Sequence, residues 1–206
     1  MKTVILATNN AHKVSEISNA LNFPGWEFKT LREAGIDSDP VEDADTFIGN
    51  ARIKAQAARE ACGGCAALAD DSGLEVDALD GAPGVYSSRF AGEDATDQDN
   101  NDKLLADLEG VADADRTARF VCQLVFIDED GSELTARGTV EGRIGHEPRG
   151  EGGFGYDPLF WPNVFDGECT LAEVPQARKN EVSHRGNALR SLKFKLEIAE
   201  AKRLAL

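Results

Sequence analysis

A strand pattern followed, after a short polar loop, by a helical pattern is the feature that most limits how this chain can fold. Thr3 to Thr8 is an apolar run typical of a buried strand. Val14, Ile17, Ser18 and Leu21 then follow at the i, i+3, i+4 and i+7 spacing of an amphipathic helix. The chain therefore opens with a strand, a tight loop and a helix.

The same two patterns alternate along the rest of the chain. Further strands are predicted at Trp26 to Leu31 and at Ala66 to Ala69. Further helices are predicted at Thr46 to Ala61, with Thr46 as N-cap, at Gln98 to Leu108, and from about Ser183 onward. Two strand-like runs, Arg119 to Asp128 and Glu133 to Ile144, flank an Asp-Glu-Asp-Gly turn and predict an antiparallel hairpin. Early and late helices around a hairpin predict an α/β or α+β fold with a mixed sheet, in one domain over residues 1–206.

The charge balance limits the partners of this chain. It has 22 Lys and Arg against 37 Asp and Glu, a formal net charge of −15 at pH 7. Binding to nucleic-acid phosphates needs a basic face, so only a small anion in a locally basic pocket is expected. The apolar run Val4 to Ala7 is too short for a signal peptide or a membrane span. We therefore expect a cytoplasmic protein with neither a nucleic-acid nor a membrane partner.

The four cysteines include one close pair, Cys62 and Cys65, in a Cys-Gly-Gly-Cys sequence. A structural zinc site would need a second pair, whereas Cys122 lies in a strand-like run and Cys169 stands alone. A thioredoxin-type pair should open a helix, and this one follows a helical pattern. The expectation is therefore reduced thiols without a chemical role.

The loop Thr8-Asn9-Asn10-Ala11-His12-Lys13 is the first candidate binding element. Backbone N–H groups at a helix start attract phosphate, and Lys13 adds a full positive charge. The Walker pattern of glycines and lysine is absent. A phosphate-binding loop and a simple helix cap both remain open.

Lys54 is the second candidate. It shares a predicted helix face with Asn50, Ala51 and Ala58, so it lies among residues that should face inward. A buried lysine needs an anion, but a long stem passing along an alanine face to solvent fits equally well.

The third candidate is Asp70-Asp71-Ser72-Gly73, directly after the predicted strand that ends at Ala69. Carboxylates at strand ends are common metal and base positions in α/β folds. Neighbouring side chains on an extended chain face opposite ways, so only one aspartate can serve a given site. Glu42, in an acidic stretch, is a possible partner, although such a stretch is usually solvated.

Gly150 to Pro158 contains a formal Gly-x-Gly-x-x-Gly pattern. Because no helical pattern follows, we reject a dinucleotide-binding fingerprint. A loop presenting Phe154 and Tyr156 for stacking on a flat base, or a tight turn with two core aromatics, are the two remaining interpretations.

The last candidate lies at the entrance to the final helix. Lys179, His184 and Arg185 place three potential cations near a helix start in an otherwise acidic chain, which is a mark of anion binding.

Together these segments resemble the inosine triphosphate pyrophosphatase family, which hydrolyses non-standard purine nucleoside triphosphates. The resemblance covers nearly the whole chain and is most specific in Asp-Asp-Ser-Gly-Leu from Asp70, Phe-Gly-Tyr-Asp-Pro from Phe154, and Ser-His-Arg from Ser183. Thr46 to Ala51 and Gly81 to Arg89 also match. Asn9 departs from the family, many members of which have glycine there, although asparagine tolerates the left-handed conformation.

The resemblance implies an elongated α/β protein with a mixed sheet and two lobes, a site in the central cleft, Mg²⁺ as cofactor and a homodimer as the working form. The products would be a nucleoside monophosphate and pyrophosphate. Asp71 would be the general base, and Glu42 and Asp71 would hold the metal. The substrate-binding residues so implied are Thr8, Asn9, Asn10, Ala11, His12, Lys13, Lys54, Ser72, Phe154, Gly155, Tyr156, Asp157, Lys179, His184 and Arg185. Among them the Thr8 to Lys13 loop, Lys54 and Lys179 would hold the triphosphate.

Selectivity would follow from the purine C6 position. Hypoxanthine and xanthine carry an oxygen acceptor there, whereas adenine carries an amino donor, so donors from His184, Arg185 or backbone amides would discriminate between them. Phe154 would stack on the purine and Asp157 would accept a hydrogen bond from the ring edge. A nucleotide-binding sensor without turnover is the competing interpretation; a phosphomonoesterase is disfavoured because no Asp-x-Asp follows the first strand.

Overall fold

A computed structural model describes residues 1–8 and 11–204, with the side chains of all of these except residues 11, 12, 176, 177, 180 and 204. A six-stranded sheet has the order β2-β1-β3-β4-β5-β6. Its strands are β1 Lys2–Leu6, β2 Trp26–Thr30, β3 Ala66–Val76, β4 Thr117–Ile127, β5 Glu133–Ile144 and β6 Phe160–Pro162. The helices are α1 Ala11–Ala20, α2 Phe47–Ala61, α3 Asp97–Asp107, α4 Gln176–Val182 and α5 His184–Leu204.

The sheet is mixed, which confirms the predicted α/β class. β1 pairs in parallel with both β2 and β3, whereas β5 pairs antiparallel with β6. The neighbouring strands β4 and β5 are joined by a short turn in which the Asp128 N–H donates to the Ser132 carbonyl, as predicted for the hairpin. None of the helices in the described part of the chain has the length and hydropathy of a membrane-spanning segment.

The chain forms two compact units. Unit 1 comprises Met1–Asp71, Cys122–Gly138 and Arg185–Leu206, and unit 2 comprises Ser72–Val121 and Thr139–His184. Strands β3, β4 and β5 therefore each contribute residues to both units.

The largest core of unit 1 is built on the apolar residues that the opening pattern predicted. Ile17 and Leu21 of the first helical segment pack in one cluster with Val4 and Leu6 of β1 and with Leu192 of α5. A second set of small residues on α2, including Ala51 and Ala55, packs against Ala69. This close packing sets the orientation of α2 about its axis and therefore the direction in which Lys54 projects.

Unit 2 has its own core, which holds α3 in place. Leu104 and Leu108 are buried with aromatic residues, among them Phe120, Tyr156 and Phe160. Thr96 and Asp99 form a reciprocal capping box at the start of α3, which satisfies two N–H groups that the first helical turn leaves unpaired. The position of Asp97, the first residue of α3, is thereby defined.

Strand β3 is longer than predicted. The sequence Asp70-Asp71-Ser72-Gly73 is typical of a turn, so the strand was expected to end at Ala69, but it continues to Val76. Tertiary contacts override the local preference because both aspartates are bound by cations on other elements. The two carboxylates therefore lie within a strand.

The prediction for the close cysteine pair was wrong. Cys62 and Cys65 form a disulfide at the C-terminal end of α2 instead of reduced thiols. The two glycines between them both have positive φ, and this turns the chain back so that the sulfurs meet.

Asp128 gives a testable prediction about the stability of unit 1. Its buried carboxylate accepts hydrogen bonds from Lys2 Nζ at 2.6 Å, from Arg203 Nη1 at 2.7 Å and from the Glu129 N–H at 2.7 Å. Burial alone would raise the pKa of Asp128, but these donors outweigh it and hold the pKa below its usual value. We expect Asp128→Asn to lower the free energy of unfolding by about 1–3 kcal/mol near neutral pH, measured by urea denaturation.

The pH dependence has a defined sign. A carboxylate with a depressed pKa stabilises the fold above its unfolded value of about 3.9 and loses that contribution as the pH falls through the folded pKa. The difference between wild type and Asp128→Asn should therefore shrink in acid. Asp130→Asn is the matched control, because Asp130 binds the same Arg203 from an exposed position; a loss as large as that of Asp128→Asn would contradict the prediction.

Candidate active site

Asp70 is a buried carboxylate between two cations in unit 1. Lys13 Nζ of α1 donates to Asp70 Oδ1 at 3.0 Å, and Arg185 of α5 donates to Asp70 Oδ2 through Nε at 3.3 Å and Nη2 at 3.2 Å. Asp70 is 4% exposed and Arg185 is 7% exposed. Burial favours the neutral acid, but Lys13 and Arg185 outweigh it and hold the pKa of Asp70 well below its usual range. Both oxygens of Asp70 are therefore engaged by positive charge.

Arg185 is anchored from a second side by a residue that the sequence did not single out. Glu16 lies one helical turn after Lys13 and accepts from Arg185 Nη1 at 3.0 Å. Burial opposes the charged guanidinium, but Asp70 and Glu16 outweigh it, so the pKa of Arg185 is raised above its usual value. Helix α1 and strand β3 are thus joined to α5 by ion pairs.

Asp71 lies in a second cluster with Lys54 and Glu42. Lys54 Nζ donates to Asp71 Oδ1 at 3.0 Å and lies 2.7 Å from Glu42 Oε2. Asn50, one turn before Lys54 on α2, places its amide nitrogen 3.5 Å from Asp71 Oδ2 and accepts from the Ala44 N–H. Of the two interpretations of Lys54, the structure shows the one that needs an anion.

The pKa of Asp71 moves in the direction opposite to that of Asp70. Burial raises the pKa of Asp71 above its usual value; Lys54 opposes this, while the negative charges of Glu42 and Asp70 raise it further. The pKa of Lys54 is also raised, because its two carboxylate partners outweigh its burial. A carboxyl with a raised pKa beside a lysine is better suited to accept a proton than an ordinary surface aspartate.

Asp70 and Asp71 contact different elements, because neighbouring side chains of an extended strand face opposite ways. Asp70 contacts α1 and α5, whereas Asp71 contacts α2. Glu42 and Asp71 converge on one cation, Lys54 Nζ, and carboxylate oxygens are the donors that Mg²⁺ prefers. Among residues 1–8 and 11–204, no group of three or more His, Cys, Asp and Glu side chains is arranged to hold a metal. A site here would thus consist of two carboxylates and ligands from elsewhere.

The phosphate-binding loop candidate is described in part. Thr8 is half-buried and its N–H donates to the Leu6 carbonyl, and Lys13 binds Asp70. Asn9 and Asn10, and the side chains of Ala11 and His12, lie outside the described residues. Their predicted roles stay predictions.

A second group of candidate residues lies in unit 2, around Phe154. Phe154 is 70% exposed. Asp157 Oδ2 accepts from the Phe154 N–H at 3.0 Å and also from Lys179 Nζ. Lys179 Nζ in turn lies 5.0 Å from the centre of the Phe154 ring. An exposed aromatic face with a cation beside it can stack on a flat, electron-rich ligand.

The structure separates the two aromatic residues of this loop. Neither interpretation of the loop holds for both residues, because Phe154 is exposed whereas Tyr156 is a core residue. The Tyr156 hydroxyl donates to the Ser87 carbonyl at 2.8 Å. Burial raises the pKa of that hydroxyl. A ligand contact at Tyr156 would therefore have to use its backbone.

The remaining candidate residues, Lys179, His184 and Ser72, belong to unit 2. Lys179 lies on α4, a short helix after Pro175 that was not predicted, and not in a loop before the final helix. The His184 ring stacks on Phe120 at a centroid distance of 5.2 Å. Ser72, directly after Asp71, is half-buried.

With this geometry in place, comparison with known proteins identifies the family. A sequence model of the Ham1 family matches residues 4–195. The chain belongs to the Ham1 family. This confirms the resemblance drawn from the motifs, since proteins named dITP/XTP pyrophosphatase align over nearly the whole chain.

The Ham1 relatives are similar in both sequence and fold. A dITP/XTP pyrophosphatase of Vibrio parahaemolyticus is 50% identical over 194 residues, covering 93% of this chain and 95% of that protein. One from Desulforamulus reducens is 51% identical over 187 residues, covering 91% of this chain and 92% of that protein. A solved structure of a HAM1 protein from Coxiella burnetii is 41% identical, with a TM-score of 0.88 and coverage of 96% and 99%.

Proposed function

We propose that this Ham1 protein hydrolyses non-standard purine nucleoside triphosphates, ITP, dITP and XTP, to the nucleoside monophosphate and pyrophosphate. The observation that carries the proposal is the half-buried Asp71 beside Lys54 and Glu42. Relatives about half identical to this chain are named dITP/XTP pyrophosphatase. A catalytic carboxylate with an adjacent cation is what attack of water on a phosphate anhydride requires.

In the proposed reaction Asp71 is the general base. It accepts a proton from water while the water oxygen bonds to the α-phosphorus, and the bond from that phosphorus to the bridging oxygen breaks. Pyrophosphate leaves with the electron pair. The raised pKa of Asp71 strengthens it as a proton acceptor once it is ionised.

Positive charge must offset the triphosphate in a chain whose net charge is −15. We assign this role to Lys13, Lys54 and the backbone of the Thr8 to Lys13 loop, and to Arg185 in place of Lys179, because Lys179 binds Asp157 beside Phe154. Each of these cations is paired with a carboxylate. The anions of the site therefore keep the cations in place instead of leaving them to repel one another.

We propose that Glu42 and Asp71 hold Mg²⁺. Their oxygens converge on Lys54 Nζ, so the donors fit a hard cation, and Mg²⁺ sites commonly combine one or two carboxylates with substrate phosphates. When bound, the ion would offset charge on the phosphate oxygens. Asp70 is not assigned to the metal, because both of its oxygens are bound by Lys13 and Arg185.

The residues of unit 2 are proposed to bind the base. Phe154 would stack on the purine, and Asp157 would accept a hydrogen bond from the ring edge while Lys179 fixes its carboxylate. His184, held flat on Phe120, is the proposed donor to the C6 oxygen. Adenine, which carries an amino donor at C6, would leave this donor unmatched.

A substrate panel tests the proposed function. With Mg²⁺ present, we expect turnover of ITP and XTP to exceed that of ATP by at least about 10²-fold in kcat/KM, because an unmatched donor in a base site is costly. The measurement is separate quantification of pyrophosphate and phosphate. Comparable turnover of ATP would refute the selectivity, release of phosphate would indicate a phosphomonoesterase, and tight binding of ITP without release would indicate a sensor.

A further inference from the structure

Two side chains of α3 hold both polar groups of a single residue, Gly155. The Gly155 N–H donates to Asp97 Oδ2 at 2.7 Å, and the Gly155 carbonyl accepts from Asn101 Nδ2 at 3.0 Å. Asp97 and Asn101 lie one turn apart on the same face of α3. No motif in the sequence links them to Gly155, which is 54 residues further along the chain than Asn101.

Gly155 is the residue directly after the exposed Phe154. Its φ of +61° lies in the left-handed region, and a Cβ there would meet no atom within 4 Å. The glycine is thus required by the backbone conformation and not by lack of space. The Phe154 N–H is fixed by Asp157 and the Gly155 peptide groups by α3, while the Phe154 ring points away from the core.

The side-chain amide of Asn101 uses its nitrogen but not its oxygen in hydrogen bonds among the described residues. Asn101 is 6% exposed, and its Oδ1 is buried without a hydrogen-bond partner among the described residues. The preceding residue, Asn100, is buried to a similar extent, but both polar atoms of its amide are bonded. Its Oδ1 accepts from the Ala91 N–H, and its Nδ2 donates to the Ser88 carbonyl. An unmatched buried acceptor costs folding free energy, and in native proteins such groups are few and call for an explanation.

We propose that Asn101 and Asp97 are positioning residues that fix the Gly155 peptide and so hold the Phe154 ring ready to stack on the purine base. The inference rests on the proposed function, since it assigns the base to Phe154. An ordered ring does not have to lose its freedom when the ligand binds, which favours binding of the base. The proposal explains why the chain keeps an amide at position 101 despite the unmatched oxygen.

Asn101→Leu is the main test, because leucine is close in size and removes both the donor and the unmatched acceptor. We expect KM for ITP to rise about tenfold with kcat within about twofold, since the contact orders the base-binding loop and not the reacting groups. Inhibition by pyrophosphate, which has no base, should stay unchanged. The urea midpoint of unfolding should stay at or above that of the wild type.

Two further variants separate positioning from a general effect on folding. Asn100→Leu removes two satisfied hydrogen bonds and should lower the urea midpoint while KM for ITP stays within about twofold of wild type. Asp97→Asn keeps an oxygen acceptor for the Gly155 N–H and should keep KM near the wild-type value, whereas Asp97→Leu should raise it. Hydrogen exchange at the Gly155 amide should be faster in Asp97→Leu.

The outcomes are distinguishable from failure of the proposed function. If the wild type releases no pyrophosphate from ITP, the proposed function fails, and exchange at Gly155 still reports whether Asp97 holds the loop. If the wild type is active but Asn101→Leu leaves KM unchanged, the positioning proposal is overturned. It is equally overturned if Asn101→Leu weakens pyrophosphate and ITP alike or lowers the urea midpoint as much as Asn100→Leu.

Discussion

Asp71→Asn is expected to reduce kcat for pyrophosphate release from ITP by about 10³-fold, the range attributed to a general base. Asparagine has nearly the same shape and leaves Lys54 and Asn50 in place, but it accepts no proton and carries no charge for a metal ion. The measurement is steady-state release of pyrophosphate at saturating ITP and Mg²⁺. Urea denaturation of the same preparation checks that the variant is folded.

Glu75→Gln is the matched control for this prediction. Glu75 is an acid on the same strand four positions further along and is paired with Arg119 in unit 2. Its loss should leave kcat within about twofold of wild type, because a partly exposed ion pair contributes little. Retention of more than about a tenth of the activity in Asp71→Asn would contradict a general-base role, which is worth at least about 10²-fold.

A third variant separates base from metal ligand. If Glu42 only holds the ion, Glu42→Gln should need a higher Mg²⁺ concentration and recover much of its activity when that concentration is raised. Asp71→Asn should not recover, since no added metal replaces a proton acceptor. Equal recovery of the two variants would assign Asp71 to the metal alone.

Periodicity predicted the elements that carry the candidate residues, but the partners of these residues depend on tertiary contacts. The apolar face of α2 placed Lys54 inward, but sequence spacing had no means to choose between solvent and an anion. The choice depends on Asp71, which is 17 residues away. Glu16 and Asn50 were missed for the same reason, because their partners Arg185 and Asp71 lie on other elements.

The elements that were missed or shortened have separate physical causes. β3 was predicted too short because two charged residues, a serine and a glycine disfavour a strand unless cations pair with the charges. α4 has only seven residues, too few for a convincing period, although Pro175 directly before it is a helix-start signal. The contact of Asn101 with Gly155 could not be predicted from the neighbouring sequence, since a polar residue on a polar helix is usually solvated.

The largest predicted effect on stability concerns Asp70. Asp70→Asn keeps the volume but removes the charge between Lys13 and the buried Arg185, and breaking a buried ion pair from one side typically costs about 3–5 kcal/mol. The depressed pKa means that this contribution is present above pH ~3.9 and is lost as the pH falls through the folded pKa. Urea denaturation at neutral pH measures it.

A double variant shows whether the stability lost in Asp70→Asn arises because Arg185 is left buried without the Asp70 carboxylate. Arg185→Met replaces the guanidinium by an apolar side chain, so in the Asp70→Asn background it should cost less than in the wild type, because no uncompensated charge then remains beside position 70. Additive losses would mean that Glu16 alone compensates Arg185. If instead Asp70→Asn is as stable as the wild type but needs more Mg²⁺ for half-maximal turnover, Asp70 is a metal ligand, and the assignment of its two oxygens to Lys13 and Arg185 is wrong.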